Sequence, residues 1–285
     1  MRVAIHSRDF HTKSVKFIER VIAMLTEAKV DVLVSDKIKR VIDTQAKGFD
    51  HKSKLKNVDY FISIGGDGTL LETVTYVGKN ETPILGINTG RLGFLATVSR
   101  EETEQALKLM IDGKMKTDKR ALLHLTSDAK LFPDFPFALN DVTIMKKDTS
   151  SMITVHVFVD HQLLNSYWAD GVIISTPTGS TGYSLSGGGP IVSPKTDSIV
   201  ITPVSPHNLT ARPIVISNKS DITFKIEGRQ KKFLISLDSR FETIDDSVQL
   251  RLKKAPFRVK LLQPQNHSHF DTLREKLNWG IDIRN

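Results

Sequence analysis

Cysteine is absent from this 285-residue chain, which excludes disulfides, zinc–thiolate centres and cysteine nucleophiles. Long apolar runs are also missing, because no stretch approaches the ~18 apolar residues that a membrane-spanning helix needs. The amino-terminal residues 2–6 resemble a strand and are not preceded by an apolar signal region. Internal repeats and low-complexity segments are absent. We therefore expect a globular cytoplasmic protein that does not act in a membrane.

The charge balance is basic, with 40 Lys and Arg residues against 32 Asp and Glu residues and a net charge of +8. Such a surface favours anionic partners, which include nucleic acid, acidic lipid and phosphate-rich small molecules. Nucleic acid is not expected, since the chain has no basic run interleaved with aromatic residues and no known binding module. At about 100–200 residues per domain, the length indicates two domains.

The hydrophobic pattern changes near residue 118. Before it, strand-like segments alternate with helix-like segments, which predicts a parallel sheet. The predicted strands are 2–6, 30–34, 60–64 and 83–87, and the predicted helices are 12–28, 69–77 and one opened by a capping box at 99–102. We expect an α/β domain over residues 1–118.

After residue 118, apolar residues occupy every second position, as at Ile153, Val155 and Val157. This pattern predicts an antiparallel β-sandwich over residues 119–263. The predicted turns between its strands are Asp160-His161, Glu227-Gly228 and Asp245-Asp246. Residues 269–278 are predicted to form a helix, so residues 264–285 are expected to return to the first domain.

A glycine-rich turn, Gly65-Gly66-Asp67-Gly68-Thr69, lies between a predicted strand and a predicted helix. Backbone N–H groups in such a turn can bind phosphate together with the helix N-terminus, which predicts phosphate binding by Gly65, Gly66, Gly68 and Thr69. The turn is neither a G-x-G-x-x-G fingerprint nor a Walker A loop. The alternative is a tight turn in which Asp67 caps the helix.

A second segment, residues 169–190, is rich in hydroxyl groups and glycine and contains Tyr183. Hydroxyl groups and an aromatic ring suit the ribose and base of a nucleoside, although a flexible Gly/Ser loop is the alternative. Residues 172–174 and 183–185 are expected to fix the loop to a core. The pair Asn140-Asp141 interrupts an apolar strand and indicates either a ligand site or a turn.

Together these segments resemble the NAD kinase family. The matching motifs are Gly65-Gly66-Asp67-Gly68-Thr69, residues 88–95, Asn140-Asp141, residues 170–190, within which 176–181 is highly specific, and residues 205–215. The resemblance implies transfer of the γ-phosphoryl group of ATP to the 2′-hydroxyl of the adenosine ribose of NAD, which gives NADP. It also implies a Rossmann-like α/β domain, a β-sandwich and a helix that returns to the first domain.

The resemblance further implies roles for individual residues. Asp67 becomes the catalytic proton acceptor, Asn140 and Asp141 contact adenosine and ribose, and Asp170 lies near the nicotinamide. The implied substrate-binding residues are Gly68, Phe94, Asn140, Asp141, Asp170, Thr178, Thr181, Gly182, Tyr183, Ser184, Leu185 and Ser186. Mg²⁺ or another divalent cation is expected to accompany ATP without protein ligands, and a homodimer or homotetramer is expected.

The chain departs from the family pattern at two places. Gly182 replaces the usual Ala, which is a mild change, and Asp238-Ser239-Arg240 replaces the usual Asp-Gly-Gln. An Arg at position 240 could still bind a phosphate.

Two further functions compete with an NAD kinase. One is a lipid kinase of the diacylglycerol or sphingosine type, which shares the Gly-Gly-Asp-Gly turn but not the 176–186 loop; the other is a noncatalytic dinucleotide sensor.

Overall fold

Two compact units make up the chain in the computed structural model, one from residues 1–119 and 259–285 and one from residues 120–258. The structure describes residues 1–53, 55, 57–90, 93–147, 151–229 and 231–278. Each unit has its own hydrophobic core. The predicted fold class is confirmed: a parallel α/β unit, an antiparallel β-sandwich and a C-terminal helix.

The first unit is built on a parallel sheet. Its elements are β1 (Arg2–Ser7), α1 (Thr12–Glu27), β2 (Asp31–Ser35), α2 (Asp36–Lys39), β3 (Lys47–Phe49), β4 (Tyr60–Ile64), α3 (Asp67–Val77), a 3₁₀ turn (Gly78–Asn80), β5 (Ile84–Ile87) and α4 (Thr103–Ile111). The strand order is β5-β4-β1-β2-β3, and all neighbouring pairs are parallel. Strand β5 is buried along its whole length, which is typical of a sheet covered on both faces.

Helix α1 forms where the sequence predicts it, because Ile18, Val21, Ile22 and Leu25 recur at helical spacing and are buried in the core of the unit. Helix α4 begins at Thr103 rather than at the predicted capping box. Ser99 and Glu102 do form the reciprocal hydrogen bonds of the predicted capping box, at 3.0 and 3.3 Å, in the turn of residues 100–102 that leads directly into the helix. Elements α2 and β3 were not predicted, since three or four residues are too few to show a period.

The second unit packs two antiparallel sheets. Its elements are β6 (Lys116–Ser127), β7 (Phe137–Ala138), β8 (Asp141–Lys146), β9 (Ile153–Val159), β10 (Gln162–Ala169), β11 (Gly171–Ser175), a 3₁₀ turn (Gly179–Thr181), α5 (Tyr183–Ser186), β12 (Ser198–Val204), β13 (Ile214–Ser217), β14 (Ile222–Gly228), β15 (Lys232–Leu237), β16 (Arg240–Asp245) and β17 (Leu250–Gln263). One sheet has the order β10-β9-β14-β17, with β6 paired to β17 and β7 to β6; the other has the order β13-β12-β11-β8-β15-β16.

Side chains from both sheets form the core of the sandwich, among them Val155 and Val157 of β9 and Ile174 of β11. The period-two pattern thus identified the buried faces correctly. The predicted turn at Glu227-Gly228 is wrong, because both residues belong to β14 and pair with β9. Cross-strand pairing extends that strand beyond its apolar residues, which the local pattern could not indicate.

Helix α6 (His269–Leu277) belongs to the first unit, as does the end of β17, where Leu261 and Leu262 run parallel to β5. Ser268 caps α6 by accepting a hydrogen bond from the Phe270 N–H at 3.2 Å. Thr272 and Leu273 are the buried residues of the helix. In the part of the chain that the structure describes, no helix combines the length and apolar character needed to cross a membrane.

Candidate functional site

The glycine-rich turn lies at the carboxyl end of β4, a strand inside the parallel sheet. Gly65 and Gly66 connect β4 to α3, and the first turn of α3 contains Asp67, Gly68 and Thr69. Gly66 and Gly68 are exposed, whereas Thr69 is buried. The first N–H groups of a helix have no partner within it, so this end of α3 presents donors and partial positive charge to an anion.

Asp67 holds the loop that follows β5. Its Oδ2 accepts the Phe94 N–H at 2.8 Å, and its Oδ1 accepts the Leu95 and Ala96 N–H groups at 3.0 Å each. The capping alternative is wrong, because the Asp67 side chain makes no hydrogen bond to the start of α3. An ionised carboxylate offers about four acceptor positions, so one remains for a further donor.

The contact between Asp67 and the loop also explains why position 93 is a glycine. A Cβ added to Gly93 would lie 1.9 Å from Asp67 Oδ1, so no other residue fits without moving the carboxylate. The ring of Phe94 is partly exposed, and Lys276 Nζ lies 5.9 Å from its centroid. Of the motif at 88–95, Arg91 and Leu92 lie outside the described residues. The structure thus joins two predicted site residues, Asp67 and Phe94, in one unit.

In the second unit, Asn140 lies between β7 and β8, and Asp141 is the first residue of β8. The Asp238 carboxylate accepts the N–H groups of Leu139, Asn140 and Asp141 at 2.9, 2.7 and 3.2 Å. The position is therefore a turn fixed by a distant aspartate. Asn140 Oδ1 is buried and accepts no hydrogen bond from the described residues, so its acceptor capacity is unused.

Asp141 is 7% exposed and titrates unusually. Burial, followed by the nearby Asp238 carboxylate, raises the pKa of Asp141 to about 7, although the Thr143 hydroxyl donates to its Oδ1 at 3.0 Å. Burial also raises the pKa of Asp238, against the effect of its three N–H donors. The Asp141 carboxyl therefore changes charge close to neutral pH.

The hydroxyl-rich loop is fixed beside Asn140 by its own threonines. The Thr176 hydroxyl donates to the Leu139 carbonyl at 2.6 Å, and the Thr176 N–H donates to the Asn140 carbonyl at 2.9 Å. Thr178 is buried and accepts a hydrogen bond from Arg120 at 3.2 Å. The loop is thus an ordered part of the sandwich and not a flexible Gly/Ser linker.

Within residues 183–185, which are predicted to fix the loop to the core, only Ser184 is buried, and it makes a 2.9 Å hydrogen bond with Thr202. Tyr183 is 44% exposed and Leu185 is half-buried. Ser186 is exposed and Thr181 half-buried. The Tyr183 ring is consequently free to contact a ligand.

Position 182, where the chain departs from the family, has room for a methyl group. A Cβ added to Gly182 would lie 3.2 Å from the Gly179 carbonyl oxygen and 3.7 Å from Asn140 Nδ2. The backbone φ of −100° is not in the left-handed region that favours glycine. An Ala therefore fits after a displacement of a few tenths of an ångström, and the departure is mild.

Asp170, between β10 and β11, forms an ion pair with Lys146 at 2.5 Å. Sequence reasoning missed Lys146, Arg120 and the role of Asp238. Arg120 could have been found from the sequence, because a charged residue directly before the apolar residues 121–123 of a strand indicates a buried charge that needs a partner. Lys146 and Asp238 carried none, since their partners are distant in sequence.

The guanidinium of Arg240 is bound to the protein itself. It donates to the carbonyl oxygens of Phe135 and Phe137 at 2.5 and 2.6 Å and lies 5.7 and 5.4 Å from the ring centroids of Phe132 and Phe135. The suggestion that it could bind a phosphate has no support from this geometry. It supports the segment that leads into Asn140.

No group of three or more His, Asp or Glu side chains among the described residues could hold a metal ion. The polar groups of both units are otherwise suited to an anionic nucleotide: backbone donors at α3 and acceptors, hydroxyl groups and an aromatic ring at the 176–186 loop.

Comparison with known proteins identifies two family models along the chain. Residues 3–115 match the ATP-NAD kinase N-terminal domain, and residues 139–263 match the ATP-NAD kinase C-terminal domain. Among curated relatives, the NAD kinases of Cytophaga hutchinsonii and Flavobacterium psychrophilum are 46% and 43% identical, and each alignment covers 100% of both chains.

Two solved structures have a similar fold. An NAD kinase from Archaeoglobus fulgidus in complex with ATP superposes with a TM-score of 0.78 at 26% identity, over 98% of this chain and 99% of that one. The fold is also that of yeast NADH kinase complexed with NADH, with a TM-score of 0.91 at 23% identity, over 100% of this chain and 89% of that one.

Proposed function

The chain belongs to the NAD kinase family, and from this premise we propose that it transfers the γ-phosphoryl group of ATP to the 2′-hydroxyl of the adenosine ribose of NAD, giving NADP and ADP. The observation that carries the proposal is the full-length match, at 46% identity, to a relative named NAD kinase. The same match favours this function over a lipid kinase or a noncatalytic dinucleotide sensor.

Asp67 is the proposed proton acceptor. Three of its acceptor positions are occupied by the 94–96 loop, and the fourth would take the hydrogen bond of the ribose 2′-hydroxyl. As the bond from the ribose oxygen to phosphorus forms, the bond from phosphorus to the β-phosphate oxygen breaks and ADP leaves with the electron pair. A carboxylate is too weak a base to ionise the hydroxyl beforehand, so the proton moves to Asp67 late in the transfer.

The remaining roles follow the predicted site. Gly66 and Gly68 would hold phosphate through backbone N–H groups at the start of α3. The N–H groups of Gly65 and Thr69, also predicted as phosphate donors, already donate to the carbonyl groups of Ile87 at 2.9 Å and Gly66 at 3.0 Å, so these two residues would shape the turn instead. Asn140, Asp141 and Tyr183 would bind the adenosine part of NAD, and Asp170 the nicotinamide end. The other proposed NAD contacts are Gly68, Phe94, Thr178, Thr181, Gly182, Ser184, Leu185 and Ser186.

Mg²⁺, or another divalent cation, would enter with the ATP phosphates. The described residues offer no cluster of carboxylates or imidazoles for it, so phosphate oxygens and water would supply most of its ligands. When bound, the ion neutralises phosphate charge. A cytoplasmic location and a homodimeric or homotetrameric state remain predictions.

The test is an assay of the purified chain with Mg²⁺ and ATP, in which NADP is detected by an NADP-specific dehydrogenase. Reactions with NAD, NADH, diacylglycerol and sphingosine run in parallel, and polyphosphate replaces ATP in a second set. We expect ATP-dependent formation of NADP. Phosphorylation of lipid alone would support the lipid kinase instead, and binding of NAD without turnover would support the sensor.

A further inference from the structure

Arg8 follows β1 and lies next to the glycine-rich turn. Strands β1 and β4 are parallel, with Ser7 opposite Ile64, so Arg8 and Gly65 leave the sheet at the same edge. Arg8 Nη1 lies 3.5 Å from the Gly68 carbonyl oxygen. The side chain is 48% exposed, which places a cation in solvent beside the start of α3.

Glu72 holds this guanidinium in place. It lies one helical turn after Gly68 on α3, and its Oε2 is 3.3 Å from Arg8 Nε. The Glu72 carboxylate also pairs with Lys37 and lies 3.6 Å from Nε2 of the buried His6. Its side chain is 17% exposed, so three groups, those of Arg8, Lys37 and His6, converge on one half-buried carboxylate at this edge of the sheet.

The charges of this cluster do not cancel. Burial opposes ionisation of Glu72, but the nearby His6 ring and the Lys37 ammonium outweigh it and lower the pKa of Glu72 to about 2. Burial lowers the pKa of His6, so its imidazole is neutral near pH 7. Arg8 and Lys37 therefore face a single anion, which leaves the cluster of His6, Arg8, Lys37 and Glu72 with one net positive charge, opposite in sign to the Asp67 carboxylate in the glycine-rich turn.

We propose that Arg8 binds the terminal phosphates of the ATP donor and that Glu72 is the residue that positions it. This inference rests on the proposed function. An arginine has five N–H donors, of which Glu72 and the Gly68 carbonyl engage two, so three remain for phosphate oxygens. Charge that spreads over the transferred phosphoryl group would then meet both the α3 donors and a fixed guanidinium.

A merely structural role explains the arrangement less well. An ion pair whose arginine is half-exposed contributes little to stability, and Lys37 already neutralises Glu72. The orientation of Arg8 by two protein acceptors, with its remaining donors in solvent beside a phosphate-binding turn, is instead what recognition of an anion requires.

The experiment compares Arg8→Gln, which removes the charge but keeps much of the length, with wild type and with Arg20→Gln. Arg20 is a matched control, because it pairs with Glu104 at 3.8 Å between α1 and α4 in the same unit. We expect Arg8→Gln to lower kcat/KM for ATP about 100-fold, with KM for NAD within twofold of wild type. Arg20→Gln should leave kcat, KM for ATP and KM for NAD within twofold of their wild-type values.

Two more variants separate binding from positioning. Arg8→Lys should recover part of the activity, since one ammonium cannot bind Glu72 and phosphate as a guanidinium does. Glu72→Gln should raise KM for ATP about tenfold with a smaller effect on kcat, and melting temperatures identify any variant that does not fold. If Arg8→Gln fails to fold, the inference is tested by comparing kcat/KM for ATP between Arg8→Lys and wild type.

An active wild type together with a folded Arg8→Gln that keeps kcat/KM for ATP within threefold overturns the inference and leaves the proposed function standing. If Arg8→Gln does not fold, Arg8→Lys at wild-type kcat/KM for ATP overturns it as well. A wild type that forms no NADP with any donor contradicts the proposed function itself. ATP binding measured without NAD gives a readout independent of turnover and should weaken in Arg8→Gln.

Discussion

Two aspartates of the candidate site have opposite surroundings. Asp67 accepts hydrogen bonds from three backbone N–H groups of the 94–96 loop. Asp141 is buried near a second carboxylate, and this favours its neutral form. The two residues should therefore respond differently when the charge is removed.

Asp67→Asn should lower kcat at least about 100-fold, because the amide cannot accept the proton. Its Oδ1 can keep the Leu95 and Ala96 N–H groups, but its Nδ2 would then face the Phe94 N–H, donor against donor. We therefore expect NAD affinity to fall several-fold too, as the loop with Phe94 loosens. Asp59→Asn is the matched control, since Asp59 also accepts a backbone N–H, from Arg2 at 2.7 Å. Turnover of Asp67→Asn within tenfold of wild type would contradict the role of proton acceptor.

Asp141→Asn should change how stability depends on pH. Because the pKa of Asp141 is raised to about 7 in the folded chain, its contribution is fully present below the unfolded pKa of about 3.9 and is lost as pH rises to about 7. The stability of the variant relative to wild type should thus increase between pH 4 and 7, by up to about 1.4 kcal/mol per pH unit, and stay level above. Urea unfolding at pH 5, 6, 7 and 8 measures it. A difference that does not vary with pH would be inconsistent with this titration.

Among the elements, the turn between β15 and β16 holds the Asn140-Asp141 pair in place through hydrogen bonds to its backbone. Asp238, which has a left-handed φ of 53°, binds three N–H groups of residues 139–141, and Arg240 binds the carbonyl groups of Phe135 and Phe137. One short turn therefore fixes both the end of β7 and the start of β8.

Arg240→Gln, which restores the residue usual in the family, should destabilise the second unit by about 1–3 kcal/mol, because two buried carbonyl groups lose a charged donor. NAD affinity should fall with it, since the segment before Asn140 loosens. Arg212→Gln is the control: Arg212 also donates to two carbonyl groups, at 2.6 and 2.9 Å, but within one exposed turn. Thermal unfolding of both variants measures the difference, and equal effects would argue against a supporting role for Arg240.

At the scale of the whole molecule, the second unit exposes apolar side chains that a monomer would leave in water. Leu209, Val215 and Trp168 are 88%, 47% and 46% exposed. Single exposed apolar residues are common on monomers too, so the predicted oligomeric state rests on the family resemblance and not on this exposure.

The predicted homodimer or homotetramer should have two or four times the chain mass of 31.9 kDa by light scattering. A dilution series that runs down to the assay concentration tests whether the active species is the oligomer. A single species of 31.9 kDa at that concentration would contradict the prediction.

Hydrophobic periodicity and turn chemistry are local properties of the chain, so they were enough to predict the fold class, the glycine-rich turn and most of the strands. The partners of the site residues, in contrast, could be read only from the folded chain. Asp67 binds groups 27–29 residues away, Asp238 binds groups 97–99 residues away, and Arg8 meets Gly68 across 60 residues. A local pattern shows that a polar group is present, but only the path of the folded chain determines which distant donor or acceptor satisfies it.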